Sequence, residues 1–417
     1  MNLLIKSATI IDPSGLFHNQ KKDILIENGR IKKISKSIKN PNNLKEIKFD
    51  NLHISQGWFD SSVCLGEPGF EERETIENGL KTAAKSGFTQ VAVNPNTYPV
   101  ADNKSAIEFI KNKANNTATS LFPIGCLTKK SESEDLAELF DMQNSGAIAF
   151  GDYNKPISNA NLLKIALQYA QNFNALILSF PQDNSIAGEG LANEHINSTK
   201  LGLKGIPSIA EEMQIARDLF ILEYTGGKLH IPTISTAKSV KLIKEGKNKG
   251  LNITCSVAAH HLVLNDEKLE GFDTRYKVSP PLRTEEDRKA LIEGVNDNTI
   301  DMITTDHNPI DIEHKKMEFE GSKNGTIGLE SAFGALTTVL PLEKIIEKFT
   351  SSKILFGIEN SSIKEGEKAN ITLFNPNGNW TFEKENILSK SKNSAFLGTD
   401  MKGKVYGIYH QNKLVLS

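Results

Sequence analysis

The chain has 417 residues, 38% of them hydrophobic and 24% charged, which is enough apolar material for a sizeable core and argues against disorder. Its 49 basic and 51 acidic residues leave a formal charge of −2, so nothing in the charge balance supports a nucleic-acid surface. Cys64, Cys126 and Cys255 are widely separated and odd in number, forming neither a disulfide framework nor a Cys-x-x-Cys pair, and suit a reducing compartment.

The first residues read as a strand, not a signal peptide, and no window approaches the roughly 20 apolar residues of a membrane span. The expectation is a soluble, cytoplasmic protein without a membrane or nucleic-acid partner. Residues 1–52 predict short strands at 3–11, 23–26, 30–34 and 46–49, with a hairpin turn at Glu27-Asn-Gly-Arg. Strands then alternate with amphipathic helices. A helix at 75–86 leads into a strand at 90–93, and a helix at 135–144 into a strand at 147–150. Strands at 176–179, 228–234, 252–257 and 301–304 follow, with helices at 209–224 and 237–248.

Repeated β-then-α units predict a parallel sheet, closed or open, and the lack of Gly-x-Gly-x-x-Gly after the first strand weighs against a dinucleotide fold. The lysine-rich run Lys244–Lys249 reads as a solvated helix end. The last stretch returns to strands at 369–374, 403–409 and 414–416, with a turn at Pro376-Asn-Gly-Asn. Strand-rich ends predict a composite β-sandwich from residues 1–52 and 365–417, around an α/β middle of residues 53–364.

The segment Gly57-Trp-Phe-Asp-Ser-Ser-Val-Cys-Leu-Gly-Glu-Pro-Gly69 resembles the dihydroorotase signature Gly-Phe-x-Asp-x-His-x-His-Leu-Arg-Glu-Pro-Gly. Further blocks are similar to that family in the same order: Asn94-Pro-Asn-Thr-Tyr-Pro-Val, the run from Leu201 to Glu212, Ser279-Pro-Pro-Leu-Arg, Thr305-Asp-His-Asn-Pro and Gly325-Thr-Ile-Gly-Leu-Glu. The resemblance implies an α/β fold, a (β/α)8 TIM-type barrel with a composite β-sandwich, assembled as a homo-oligomer such as a dimer. It also implies reversible cyclisation of N-carbamoyl-L-aspartate to L-dihydroorotate, with one or two zinc ions at the C-terminal ends of the barrel strands.

The residues at the family's site positions do not suit that chemistry. Ser62 and Cys64 stand where two metal-binding histidines belong; being two apart on a strand, they are expected to face the barrel axis together. Phe180 and Thr233 occupy the other two histidine positions, and His230, three residues before Thr233, is expected to face away. Gly66 replaces the arginine that would grip a carboxylate, Ser279 replaces an asparagine, and Ile310 replaces a histidine.

Asn96, Asp306 and an aspartate aligned with Asp152 to within one residue are retained family positions. Asp306 and Asn96 read either as hydrogen-bonding caps for buried loop backbone or as keeping a residual binding role, Asn96 toward substrate, whereas His260 and His261 read as structural hydrogen-bonded groups. Cys64 reads as a small buried apolar residue, although its thiolate could ligate a metal.

These substitutions lead to the expectation of a metal-free, catalytically inactive homologue with no cofactor, acting as a scaffold or partner subunit. A catalytic dihydroorotase or aspartate transcarbamoylase would be the partner. The alternative is an active dihydroorotase or cyclic amidohydrolase with an atypical site built on Asp306, Asn96, Asp152 and Cys64. A third, weaker reading is a sensor that binds a carbamoyl-aspartate-like metabolite without turning it over.

Overall fold

The structure, a computed structural model, describes residues 1–40 and 43–417. Among these, eight parallel strands form one sheet in the order Trp58–Val63, Phe88–Val93, Ser120–Gly125, Ala149–Phe150, Ile177–Leu178, Leu229–Ile231, Ile253–Ala258 and Met302–Thr304. The first and last strands meet. The Cys64 amide donates to the His307 carbonyl at 2.8 Å, and Val63 bridges His307 in parallel. The sheet is therefore a closed barrel, which periodicity alone left open.

Strand Ser120–Gly125 is absent from the sequence expectation. Pro123 and Gly125 give it the look of a loop, yet it pairs with both neighbours because the barrel supplies partners that a lone strand lacks.

Helices pack around the barrel for local reasons that the sequence shows. Thr75 caps Ile76–Lys85 by accepting from the Asn78 amide, Glu77 lies in the first turn and Lys85 in the last. Its buried face (Ile76, Leu80, Ala83 and Ala84) carries the apolar period of a barrel helix. Thr284 and Asp287 form a capping box at the start of Glu285–Asn296. Inside the barrel, Phe59, Ala92, Ile124, Ala149, Leu178 and Met302 form a central cluster with Phe356 and Ile358.

Strands from both ends of the chain build a second, mixed sheet, ordered Lys413–Leu416, Asp400–His410, Ile371–Thr381, His53–Gln56, Leu3–Ile11, Lys21–Glu27 and Arg30–Ser35, with Lys45–Ile47 also pairing Leu3–Ile11. A bulge between Ile5 and Ala8, where Ser7 takes φ +54°, keeps Leu3, Ile5, Ala8 and Ile10 in one core. The turn expected at Pro376-Asn-Gly-Asn is instead an irregularity within strand Ile371–Thr381, whose pairing jumps between Asn375 and Asn379. The chain reverses later, through residues 382–399, a segment held to the barrel by the Ser389 amide on Glu330 and the Lys390 amide on Glu74, both at 2.9 Å.

Trp58 joins the two parts: fully buried, its ring lies 4.9–5.8 Å from those of Phe88, Phe333, Phe349 and Phe374. Such pairs contribute about 0.5–1.5 kcal/mol each beyond area burial. The lysine-rich helix end is ion-paired: Lys244 to Asp297 at 2.8 Å, Lys247 to Asp301 at 2.7 Å and Lys249 to Glu223 at 3.3 Å. No helix among the described residues is long and apolar enough to cross a membrane.

Candidate active site

Barrel enzymes place their chemistry at the C-terminal ends of the strands. At that end lies a cavity of about 20 Å³, lined by Ser62, Asn94, Tyr153, Phe180, Thr233 and Asp306 among others. This is room for a water molecule and not for a six-membered ring with a carboxylate.

The first strand supplies Asp60 and Ser62. Asp60 is fully buried and accepts from the Ser62 amide at 3.1 Å, from the Thr305 amide, and from the hydroxyls of Thr304 and Thr305. It therefore pins the start of the last loop to the first strand. Burial pushes its carboxyl up to about 6, against the pull of those donors. Ser62 Oγ donates to Asp306 Oδ1 at 2.9 Å and accepts from Asn94 Nδ2 at 3.0 Å, which also lies 3.6 Å from Cys64 Sγ. Ser62 and Cys64 thus reach the same carboxamide, as their spacing predicts.

Asp306 sits in a left-handed conformation, φ +48°, and also accepts from Tyr153 Oη at 3.4 Å. Burial, reinforced by Asp60, pushes its carboxyl up to about 7. Burial drives the Tyr153 hydroxyl well above its ordinary range, as does the nearby Asp306 charge. The Cys64 thiol is pushed up to about 12 by burial and then by Asp306, so it is not a ready thiolate.

The other positions divide sharply. Phe180, 4% exposed, and Thr233, at φ +50°, line the cavity where imidazoles were expected from the family pattern. His230 does not face away. Strand Leu229–Ile231 ends before Thr233, and the left-handed turn brings both residues to the cavity. Its ring is held by Thr254 Oγ1 at 2.9 Å and Ser256 Oγ at 3.1 Å, and burial lowers it to about 3, so it stays neutral.

Asp152 is absent from the cavity lining. Its carboxylate accepts from the Leu127 and Thr128 amides at 2.9 and 3.1 Å and from Thr128 Oγ1 at 2.5 Å, a loop-fastening role. Asn96 lies near the Cys64 thiol with its Oδ1 buried and unpartnered. Ser279 lines the cavity, whereas Ile310 is buried beside Asn393, which accepts its amide at 3.0 Å.

His261 donates to the carbonyls of Pro280 and Pro281 at 3.0 and 3.2 Å. His260 departs from expectation: both ring nitrogens are buried without a hydrogen-bond partner, and its ring lies 4.4 Å from that of His261. Neither reaches the cavity. His307, next to Asp306, accepts the Gly328 amide on Nδ1 at 3.2 Å and is fully buried.

Gly66 holds φ +70°, and a Cβ there would lie 2.5 Å from the Phe70 carbonyl oxygen and 2.9 Å from that of Glu74. An arginine cannot enter this loop as it stands. Asp60, Asn94 and Tyr153 are the site residues that sequence reasoning missed. Asp60 and Asn94 lay within recognised motifs, and Tyr153 follows Asp152 directly in the run Phe150-Gly-Asp-Tyr-Asn.

The donor set does not fit a zinc site. Zinc requires three or four nitrogen, sulfur or oxygen ligands in a compact shell. Among the described residues no group of three or more His, Cys, Asp or Glu side chains is placed to hold a metal ion.

Fold and cavity position together define a (β/α)8 barrel with a cavity at the C-terminal ends of its strands. A family model described as Dihydro-orotase-like matches residues 53–239. The dihydroorotase of Geobacter metallireducens is 40% identical over 412 residues, spanning 97% of this chain and 96% of that protein. That of Trichlorobacter lovleyi is 38% identical over 425 residues, 100% of each. The L-hydantoinase (dihydropyrimidinase) structure from Arthrobacter aurescens matches with a TM-score of 0.86 at 19% identity, over 100% of this chain and 96% of that one. The dihydropyrimidinase structure from Brevibacillus agri gives 0.85 at 20%, over 100% and 95%. At those identities the solved structures speak for the fold alone. The chain belongs to the dihydroorotase family.

Proposed function

We propose that this chain is a metal-free, catalytically silent dihydroorotase homologue of pyrimidine biosynthesis that works as a scaffold or partner subunit, for a catalytic dihydroorotase or for aspartate transcarbamoylase. One observation carries the reading. The positions that should supply four imidazoles hold Ser62, Cys64, Phe180 and Thr233, and what remains is a cavity of about 20 Å³ in which Asp306 is engaged by Ser62. Without ligands for a metal, the site has no means to generate a hydroxide or polarise a carbonyl by that route. Among the described residues, Asp306 is the one carboxylate of the cavity lining and is occupied by the hydroxyls of Ser62 and Tyr153.

The second reading, an active dihydroorotase or cyclic amidohydrolase with an atypical site, is favoured by the names of the full-length relatives at 38–40% identity. Metal analysis and dihydroorotate hydrolysis on one chelator-free sample separate the two. No stoichiometric zinc and no turnover above background is the expected result. Near-stoichiometric zinc with turnover overturns the first reading in favour of the second. The scaffold role is tested by co-purification with each named enzyme, and it fails if neither is retained.

A further inference from the structure

A second opening lies on the same face of the barrel, outside the Ser62–Asp306 cavity and sharing no lining residue with it. This groove has a volume of about 840 Å³, within the roughly 300–1,000 Å³ typical of small-molecule sites. Its walls come from the loop after the seventh barrel strand (Thr274 and Arg275), the loop after the eighth (from Ile310 to Lys316) and the tail segment from Lys384 to Asn393. Loops after the seventh and eighth strands are where barrels of this type commonly hold phosphate groups.

The walls are fastened together. Asn393 Oδ1 accepts from the Ile310 amide at 3.0 Å, and its Nδ2 donates to the carbonyls of Asn308 and Gly325 at 3.1 and 3.2 Å. Ser391 Oγ donates to the Arg73 carbonyl at 2.8 Å. The groove is thus preformed, not an accident of loose loops.

Its charge is uneven. Among the described residues, Lys316, Lys384, Lys390 and Lys392 line it with no carboxylate at ion-pair distance from their ammonium groups; the Nζ atoms of Lys390 and Lys392 donate only to backbone carbonyls. On the acidic side, Asp311 is occupied by Arg73 at 3.2 Å and His314 at 2.8 Å, and Glu72 lies 3.7 Å from Arg73. Glu313 is the remaining acid of the lining. Of the two isoleucines in the lining, Ile310 is buried and Ile312, 71% exposed, supplies the apolar surface.

We propose that this groove binds a small organic phosphate, with its phosphates on the lysine rim and its apolar body against Ile312. Compact ammonium groups suit phosphate oxygens as point charges, and an apolar wall gives an organic ester an advantage over an inorganic ion. The proposal stands apart from the metal-free reading and survives if that reading fails.

The test is calorimetry on the full chain at constant ionic strength, with adenosine diphosphate and inorganic pyrophosphate as probes. The nucleotide is expected to bind at least roughly tenfold more tightly than pyrophosphate, a difference of about 1.4 kcal/mol. The double charge reversal Lys316→Glu with Lys384→Glu should weaken both probes at least roughly tenfold, a further loss of about 1.4 kcal/mol. Because both lysines are exposed, the melting temperature should stay unchanged.

Ile312→Asp should weaken the nucleotide more than pyrophosphate. A control reversal at the distant Lys244 and Lys249 should leave both probes unaffected. No heat from either probe, equal weakening by the distant pair, or pyrophosphate binding as tightly as the nucleotide overturns the proposal. So does a polyglutamate peptide that binds where neither phosphate does, since it assigns the groove to an acidic protein segment.

Discussion

Ser62 donates its hydroxyl proton to Asp306 across 2.9 Å, from the first barrel strand to the loop after the last. The resemblance to the dihydroorotase signature implies a metal-binding histidine at position 62 and an aspartate at position 306. Here Ser62 and Asp306 face each other, and Asn94 completes the contact from the second strand at 3.0 Å. The pair links the first and last strands of the closed barrel as a structural clasp.

Restoring the first-strand histidines alone should not restore zinc. In a Ser62→His, Cys64→His double variant, Phe180 and Thr233 still deny half the shell and His230 stays committed to Thr254 and Ser256. Elemental analysis should find well under one zinc per chain, and dihydroorotate hydrolysis should remain at background. Stoichiometric zinc in this double variant would show that the remaining cavity residues can complete a shell.

Gly66→Arg should damage the fold before it helps bind a carboxylate. The added Cβ meets two backbone carbonyl oxygens at 2.5 and 2.9 Å in a left-handed conformation. The expected cost is about 1–3 kcal/mol from strain, visible as a lower urea midpoint with unchanged slope. Calorimetry with N-carbamoyl-L-aspartate should show no gain in binding.

Lys353 provides a pH signature. It is 1% exposed, its Nζ reaches Gln90 Oε1 at 3.3 Å, and burial pulls its amine down to about 8. A lysine whose folded value is lowered penalises folding while it is charged. Below about pH 8 the penalty is fully present, and between about 8 and the ordinary value of 10.5 it is relieved, because the unfolded chain then holds more protons. Stability should therefore rise with pH across that window from this group. Lys353→Met should raise stability at pH 7 and flatten the rise, as read from urea unfolding at pH 7 and pH 9.5. An unchanged slope between those pH values in the methionine variant would remove Lys353 as its cause.

Glu211 and Arg283 form the centre of a buried network that explains two of the family blocks. Glu211 accepts from the Ser235 amide at 2.8 Å and from Ser239 Oγ at 2.6 Å, while Arg283 donates to Asn193 Oδ1 at 2.9 Å and to the Ile206 carbonyl at 2.8 Å. The two are 1–2% exposed and 3.9 Å apart. Removing one partner leaves an uncompensated buried charge, so Glu211→Ala or Arg283→Met should each cost about 3–5 kcal/mol. Thermal denaturation should show both as severe, and the double variant should cost less than the sum of the singles.

Much of the fold was legible in the residues. The alternation of short apolar runs with capped amphipathic helices predicts a parallel sheet, and helix 237–248 lies where its period places it. Strand Ser120–Gly125 was hidden because Pro123 and Gly125 are penalties that only two flanking strands offset. The turn at Pro376 was misread because a bulge and a turn use the same residue types.

The sequence by itself determined family membership and the identity of every side chain at the family's site positions, since both reside in ordered motifs. It could not decide where those side chains go. That Asp152 fastens a loop, that His230 turns into the cavity, and that Ser62 meets Asp306 are contacts between residues 24 to 244 positions apart. Such contacts follow from barrel closure and from left-handed turns at Thr233 and Asp306, which have no local signature in the chain. Only the tertiary structure brings the first and last strands together, because the hydrogen bonds that close a barrel are made between the ends of the sheet and not along the sequence.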